Sequence, residues 1–291
     1  MTTMPVKNNI MNNQSGDASG KQGSSDDGLM GRLFDAPRHS IRLQALREVE
    51  DEEILLKVAS SDSNELVRQS AVERISDQEA LKQIANSDPD YYVRLAAVKK
   101  IKDPQVLADI VLSCQFDYYI CKDALSNIRN NDVLASLLEG LTDRDIKSAV
   151  VRGITDQDML ADIACCNSDF YVRSDALKKI TDQEVLARIA RKDSDYYVRA
   201  LAVQQITDPE VIVDIALNDA DYYVRGQAVT RIHDVEVLKK VIISDDDFDV
   251  RKRALSNISD PEVLMRLQNE LSDAYILRKI KNHLDNLQAQ L

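Results

Sequence analysis

The residues of this chain that could do chemistry are few, and their spacing argues against most of it. His39, His233 and His283 are the only histidines. None stands in a His-Glu pair or at the i, i+4 spacing of a metal-binding helix, so no metal ligand is assigned and surface or helix-capping roles are expected. The cysteines at 114, 121, 165 and 166 form no C-x-x-C motif. They sit inside apolar helical patterns, which suits small buried thiols in a reducing compartment. Carboxylates are abundant, yet most occupy places where a helix begins. With no Gly-rich phosphate loop and no nucleophile elbow, no catalytic residue and no cofactor is assigned.

Two residue sets do recur regularly. One is an Asp followed four residues later by an Arg, as in Asp90/Arg94, Asp169/Arg173, Asp195/Arg199, Asp221/Arg225 and Asp247/Arg251. The other is a pair of aromatic residues between them: all ten tyrosines fall in that slot. The apolar residue just before the Arg serves as a marker: Ile41, Val67, Val93, Ile120, Ile146, Val172, Val198, Val224, Val250 and Ile276. Every step is 26 residues except one of 27, between Val93 and Ile120. A phase held through ten units is the signature of a repeat architecture.

The elements that must position these residues follow from the pattern within a unit. From the marker, apolar residues recur with helical spacing, as in Val198, Ala202, Val203 and Ile206, and predict a first helix, A. Ten residues past the marker stands Asp (Asn130 once), followed by Pro at 104, 209 and 261. Asp can cap free amides and Pro suits a first helical position, so a second helix, B, begins there. Its apolar set, such as Val211, Ile212, Ile215 and Ala216, has helical spacing too. Short helical pairs cannot bury their apolar stripes alone, so the fold class is all-α, a solenoid of about ten 26-residue hairpins over residues 36–291. Residues 1–35 read as a disordered tail rich in Asn, Ser, Gly and Gln. Within it, "GLMGRLF" at 28–34 is an apolar patch that either covers the first repeat or docks in a partner's groove.

The unit D-x-x-V-R-x-x-A-[VL]-x-x-I-x-D-x-x-[VL]-L resembles the HEAT-like repeat, particularly the short bacterial and archaeal form that also occurs in phycobilin lyase subunits. The resemblance implies that the Asp three before the marker and the Arg after it pair between successive units as a ladder. Departures at Asn64, Cys121, Lys147 and Leu277 would weaken that ladder, most around the fourth unit. The metal-dependent hydroxylases of this class would need histidine ligands that the chain lacks.

Charge narrows the partners. A formal charge of -12 argues against nucleic acid, and no apolar run suits a membrane span, so a cytoplasmic protein is expected. On a helix the residue before the marker points away from the core. Tyr92, Tyr119, Tyr171, Tyr197 and Tyr223 would then form an exposed ribbon, with the preceding ring packing beneath. The expected function is a non-enzymatic scaffold that binds a partner protein or peptide along this face, a basic one being favoured by the acidic charge. The alternative that the resemblance implies is a lyase or chaperone-like subunit handling a tetrapyrrole or other aromatic ligand.

Overall fold

The computed structural model describes residues 28–113 and 117–288, and the expectation of disorder over residues 1–27 lies outside them, as does Cys114. No β-strand occurs among the described residues; a π-helical turn, Gly31–Asp35, is followed by nineteen α-helices. They alternate as A and B. A helices run from His39–Leu46 to Ala274–Gln288 and B helices from Glu52–Ser61 to Pro261–Glu270, giving nine hairpins and a lone final A helix.

Local chemistry sets the boundaries. The Asp208 carboxylate accepts from the Glu210 N–H at 2.9 Å to open a B helix whose first residue is Pro209. Asp195 opens the A helix Tyr196–Gln205 by accepting from the N–H groups of Tyr197 and Val198 at 2.8 and 3.2 Å. Each such cap contributes about 1 kcal/mol. The apolar stripes meet between the two helices: Val198, Ala202, Val203 and Ile206 from A and Ile212, Ile215 and Ala216 from B are all buried.

The described helices group into two compact units that divide between Val106 and Leu107. The division falls inside helix Pro104–Ser113. It accompanies the slip in periodicity, the 27-residue step and Cys121 in place of Arg. In the first unit the packed chain reaches back to Gly28, before the expected boundary at 36. Leu33 is fully buried, Lys57 lies 4.6 Å from the Phe34 ring centre and Arg32 pairs with Glu48 at 2.7 Å, so this segment covers the first hairpin.

Within each unit three side-chain ladders hold neighbouring hairpins in phase. In the first ladder, an Arg after the marker grips with two bonds the carboxylate that ends helix B of its own hairpin, while its Nη1 donates to the carbonyl that ends the preceding B helix, as Arg199 does to Asp193 at 2.9 Å. Arg42 holds Asp62 at 2.7 and 2.8 Å, and Arg68 holds Asp88 at 2.8 and 2.9 Å. Arg173 holds Asp193, Arg199 holds Asp219 and Arg225 holds Asp245 with the same geometry, at 2.8 to 3.0 Å. These carboxylates stand five residues before the marker, at the end of helix B, which corrects the pairing expected from the sequence. The Asp residues three before the marker (Asp90, Asp169, Asp195, Asp221 and Asp247) are turned instead onto the first amides of their own A helices.

Exceptions explain the rule. Lys147 reaches the cap carboxylate of Asp169 at 3.0 Å where residue 167 is Asn, and Arg251 reaches that of Asp273 at 3.2 Å where residue 271 is Leu. Arg251 Nε is left buried with no hydrogen-bond partner. Arg94 donates to the carbonyls of Asp88 and Pro89 at 2.8 and 3.2 Å, as Arg173 does to those of Asn167 and Ser168. Burial pushes the Asp62 carboxyl up, but its bonds from Arg42 and the Asn64 N–H outweigh this and hold it below the ordinary carboxylate value.

The second ladder satisfies helix ends. Seven residues past the marker, a polar side chain donates to the final carbonyls of the preceding A helix, groups that otherwise lack a partner. Arg74 does so to Leu46 and Val49, Lys179 to Val151 and Arg152, Arg231 to Val203, and Asn257 to Val229 and Ile232. His283 fills the same place, with Nε2 2.9 Å from the Ile258 carbonyl, in keeping with a capping role. In the third ladder the first residue of helix B accepts from the turn of the next hairpin, as Gln183 does from the Thr207 N–H at 2.8 Å and its hydroxyl at 3.0 Å.

Candidate functional site

With those columns engaged in holding hairpins together, the paired aromatic slot at the start of five of the A helices is the repeated feature left at the surface. The cap Asp positions it: by binding the first amides, it starts the helix at the first ring, so that the marker points inward and the two rings flank it. Tyr92 in the first unit and Tyr119 in the second are 65% and 66% exposed. Tyr171 and Tyr197 are exposed as well, whereas Tyr223 is half-buried.

The inner-versus-outer division expected for the two rings is not uniform. Tyr91, Phe170 and Phe248, the first of each pair, are half-buried, yet Tyr222 is 53% exposed, more than its neighbour Tyr223. A diagonal contact between hairpins accounts for this. The first residue of one slot lies on the second residue of the next: Tyr196 meets Tyr223 edge-on at 6.0 Å, Phe248 meets Tyr275 at 4.2 Å, and the Arg144 guanidinium lies 3.6 Å from the centre of the Tyr171 ring. Elsewhere the two rings of a slot meet each other, as in Tyr91/Tyr92 and Tyr118/Tyr119, at 5.3 and 5.7 Å. Most of the rings are thus held by edge contacts with a neighbouring ring, while Phe170 and Tyr171 meet at a tilt of 35°.

Charge is partitioned across the hairpin. The turns carry the carboxylates: Asp208 with Glu210, Asp234 with Glu236 and Asp260 with Glu262 are exposed at the A-to-B turns of the second unit. The A helices carry exposed cations, including Arg144, Lys252, Arg253 and Arg278, of which Arg144 and Arg278 lie over the rings of Tyr171 and Tyr275. Much of the net charge of -12 is thus carried at the turns. Beside Tyr92 lies a cavity of about 350 Å³ lined by Glu73, Leu95, Lys99 and Lys100.

The cysteines differ from expectation in part. Cys121 is buried, its thiol 3.7 Å from the Val111 carbonyl, but Cys165 is half-buried and Cys166 exposed because both lie at the outer end of a B helix. Arg188 donates to Cys165 Sγ at 3.2 Å. Among the described residues no group of three or more His, Cys, Asp or Glu side chains is placed to hold a metal ion, and no helix is long and apolar enough to cross a membrane.

The ladder carboxylates Asp62, Asp88, Asp193, Asp219 and Asp245 are the residues that the sequence reading missed. Their signal was available, since they keep the 26-residue phase two places before the cap.

No family model and no curated protein matches the chain. Among solved structures it is similar to YibA of Escherichia coli, with 17% identity over 94% of this chain and 99% of that one, at a TM-score of 0.30. A computationally designed self-assembling cyclic homo-oligomer is similar at 11% identity, covering 91% of this chain and 89% of that one, with a TM-score of 0.10.

Proposed function

We propose that the chain is a HEAT-like repeat scaffold of the cytoplasm, without catalysis of its own, that binds a protein or peptide partner across the ring-bearing face of its A helices. One observation carries this reading: the fold does not require the rings. The fifth slot is Arg144-Asp145 and the second residue of the ninth is Asp249, yet both A helices are capped like the others, Asp143 accepting from Ile146 N–H at 2.9 Å and Asp247 from Asp249 N–H at 2.8 Å. A residue type that packing does not demand, placed outward and repeated, is best accounted for by what it touches outside the chain. Tyrosine suits that use, since it brings a large rigid contact area and a hydroxyl at little cost in side-chain entropy.

The test is the paired substitution Tyr197→Ser with Tyr223→Ser, read by affinity capture with mass spectrometry and by thermal melting. Removing two anchors should weaken capture of the partner by about a hundredfold, at 1 to 2 kcal/mol each, while the melting temperature falls by only a few degrees. A large fall in melting temperature, with capture tracking the folded fraction, would make the rings packing elements and end the proposal.

A further inference from the structure

Towards the C-terminal end of the second unit the ring-bearing face changes character. At two and three residues past the marker, where other A helices carry Ala200 and Leu201 or Gly226 and Gln227, the last two carry Lys252 and Arg253, then Arg278 and Lys279. Because the unit repeats, both pairs occupy the same address on adjacent helices, Phe248–Ser256 and Ala274–Gln288. Among the described residues none of these four cations is in an ion pair. Arg278 and Lys279 lie 4.9 and 5.4 Å from the centre of the Tyr275 ring, whose edge meets Phe248.

Arg253 is seated by a glycine. A Cβ at Gly226 would stand 3.2 Å from its Cδ and 3.3 Å from its Nε, so the missing side chain makes the bed in which the arginine lies. Beside it is an open cavity of about 230 Å³ between Thr230, Lys252, Ser256 and Asn257, with Asp249 as its one carboxylate.

We propose that these two helices dock an acidic peptide segment of the partner protein, one that presents several Asp or Glu side chains to Lys252, Arg253, Arg278 and Lys279. The proposal rests on the reading of the A face as a binding surface and names the partner's chemistry. Charge complementarity carries it: cations left without carboxylates, in a chain with 49 acidic side chains, are sites that a carboxylate from outside can fill. Single-stranded nucleic acid also favours rings and cations. Here, however, adjacent pairs of cations at this address are confined to two helices about 10 Å apart, and the A helices before them carry Asp123, Asp145 and Asp175 at the equivalent or neighbouring addresses. A run of phosphates would soon meet carboxylates, and a short acidic segment would not.

The experiment measures binding of three fluorescent probes to the full chain at low salt: a Glu/Asp-rich peptide, a Lys/Arg-rich peptide and an oligouridylate. The Glu/Asp peptide should bind best, and added salt should weaken it. Lys252→Gln with Arg253→Gln should reduce its affinity about tenfold, as should Arg278→Gln with Lys279→Gln, while Asp249→Asn should raise it about threefold. Preference for the Lys/Arg peptide or the oligouridylate overturns the proposal, and so does equal binding of the Glu/Asp peptide by all variants. Should no probe bind while Tyr197→Ser with Tyr223→Ser still abolishes partner capture, this site falls and the scaffold reading stands; the opposite pattern removes the ribbon and keeps the acidic-peptide site.

Discussion

Replacing Asp219 by Ala should destabilise the second unit several times more than replacing Asp221, although the two stand only two residues apart. Asp219 accepts both Nε and Nη2 of Arg199 at 2.9 Å and the Asp221 N–H at 2.8 Å, and both side chains of the pair are largely buried. Removing it strips the Arg199 guanidinium, on the A helix of the same hairpin, of its carboxylate, and breaking a buried pair in this way costs about 3 to 5 kcal/mol. Asp221 accepts a single amide, from Tyr223 at 2.8 Å. Its loss is that of a helix cap, about 1 kcal/mol. Urea unfolding of the single variants, and of each combined with Arg199→Met, gives both the costs and the couplings. Arg199 should couple strongly to Asp219 and by less than about 0.5 kcal/mol to Asp221. Equal costs for the two Asp substitutions, or a dominant coupling of Arg199 with Asp221, would refute the ladder register and with it the account of how hairpins stay in phase.

Two further outcomes are expected. Leu271→Asp should place a carboxylate at the address that Asp219 and Asp245 occupy and give the buried Nε of Arg251 its missing acceptor. Satisfying that donor, offset by the partial loss of leucine burial, should raise stability by about 1 kcal/mol in urea unfolding. Acid should loosen the ladders. Asp62, Asp169 and Asp273 are all held below their ordinary value: in Asp62 and Asp169 burial raises the carboxyl, and bonds from Arg42 and Lys147 outweigh it, while in Asp273 the Ile276 N–H dominates. A depressed carboxyl contributes stability that is complete above its unfolded value of about 3.9 and is lost as pH falls through its folded value, so melting temperature should be flat down to about pH 5 and fall below it.

The hairpins were legible because their cause is local. The spacing of Val198, Ala202, Val203 and Ile206, the Asp at each helix start and Pro209 after Asp208 together specify two short helices and the turn between them. The ladder register was not legible by the same route. Asp193 and Asp195 have one residue type and one period, and a periodic sequence cannot say which of two equivalent columns faces the arginines. The geometry of the turn decides it: Asp195 spends its carboxylate on the amides of Tyr197 and Val198, and Asp193, at the end of helix B, is left within reach of Arg173. Cys165 and Cys166 were misplaced for a related reason, since an apolar type near a helix end reads as core although that end projects past the stripe.

The same periodicity separates what the fold needs from what is free to vary. Packing uses the marker and the residues four, five and eight beyond it; the ladders use the positions one, seven and eleven beyond it and five before it. Where a ladder position is lost, the damage is visible, as at Arg251 with its orphaned Nε. At the ring positions and at the second and third residues past the marker the residue type changes while the caps and the buried stripe keep their places. Those positions hold Tyr-Tyr, Phe-Tyr, Arg-Asp or Phe-Asp in the slot, and Ala-Leu, Gly-Gln or Lys-Arg beyond it, on helices of one design. Variation that leaves the caps and core in place, gathered on one face of the A helices, is the pattern expected if that face answers to a partner. It also explains how aromatic anchors and a cationic end coexist on a chain of net charge -12: each address can be set independently, because hairpin stability is secured elsewhere.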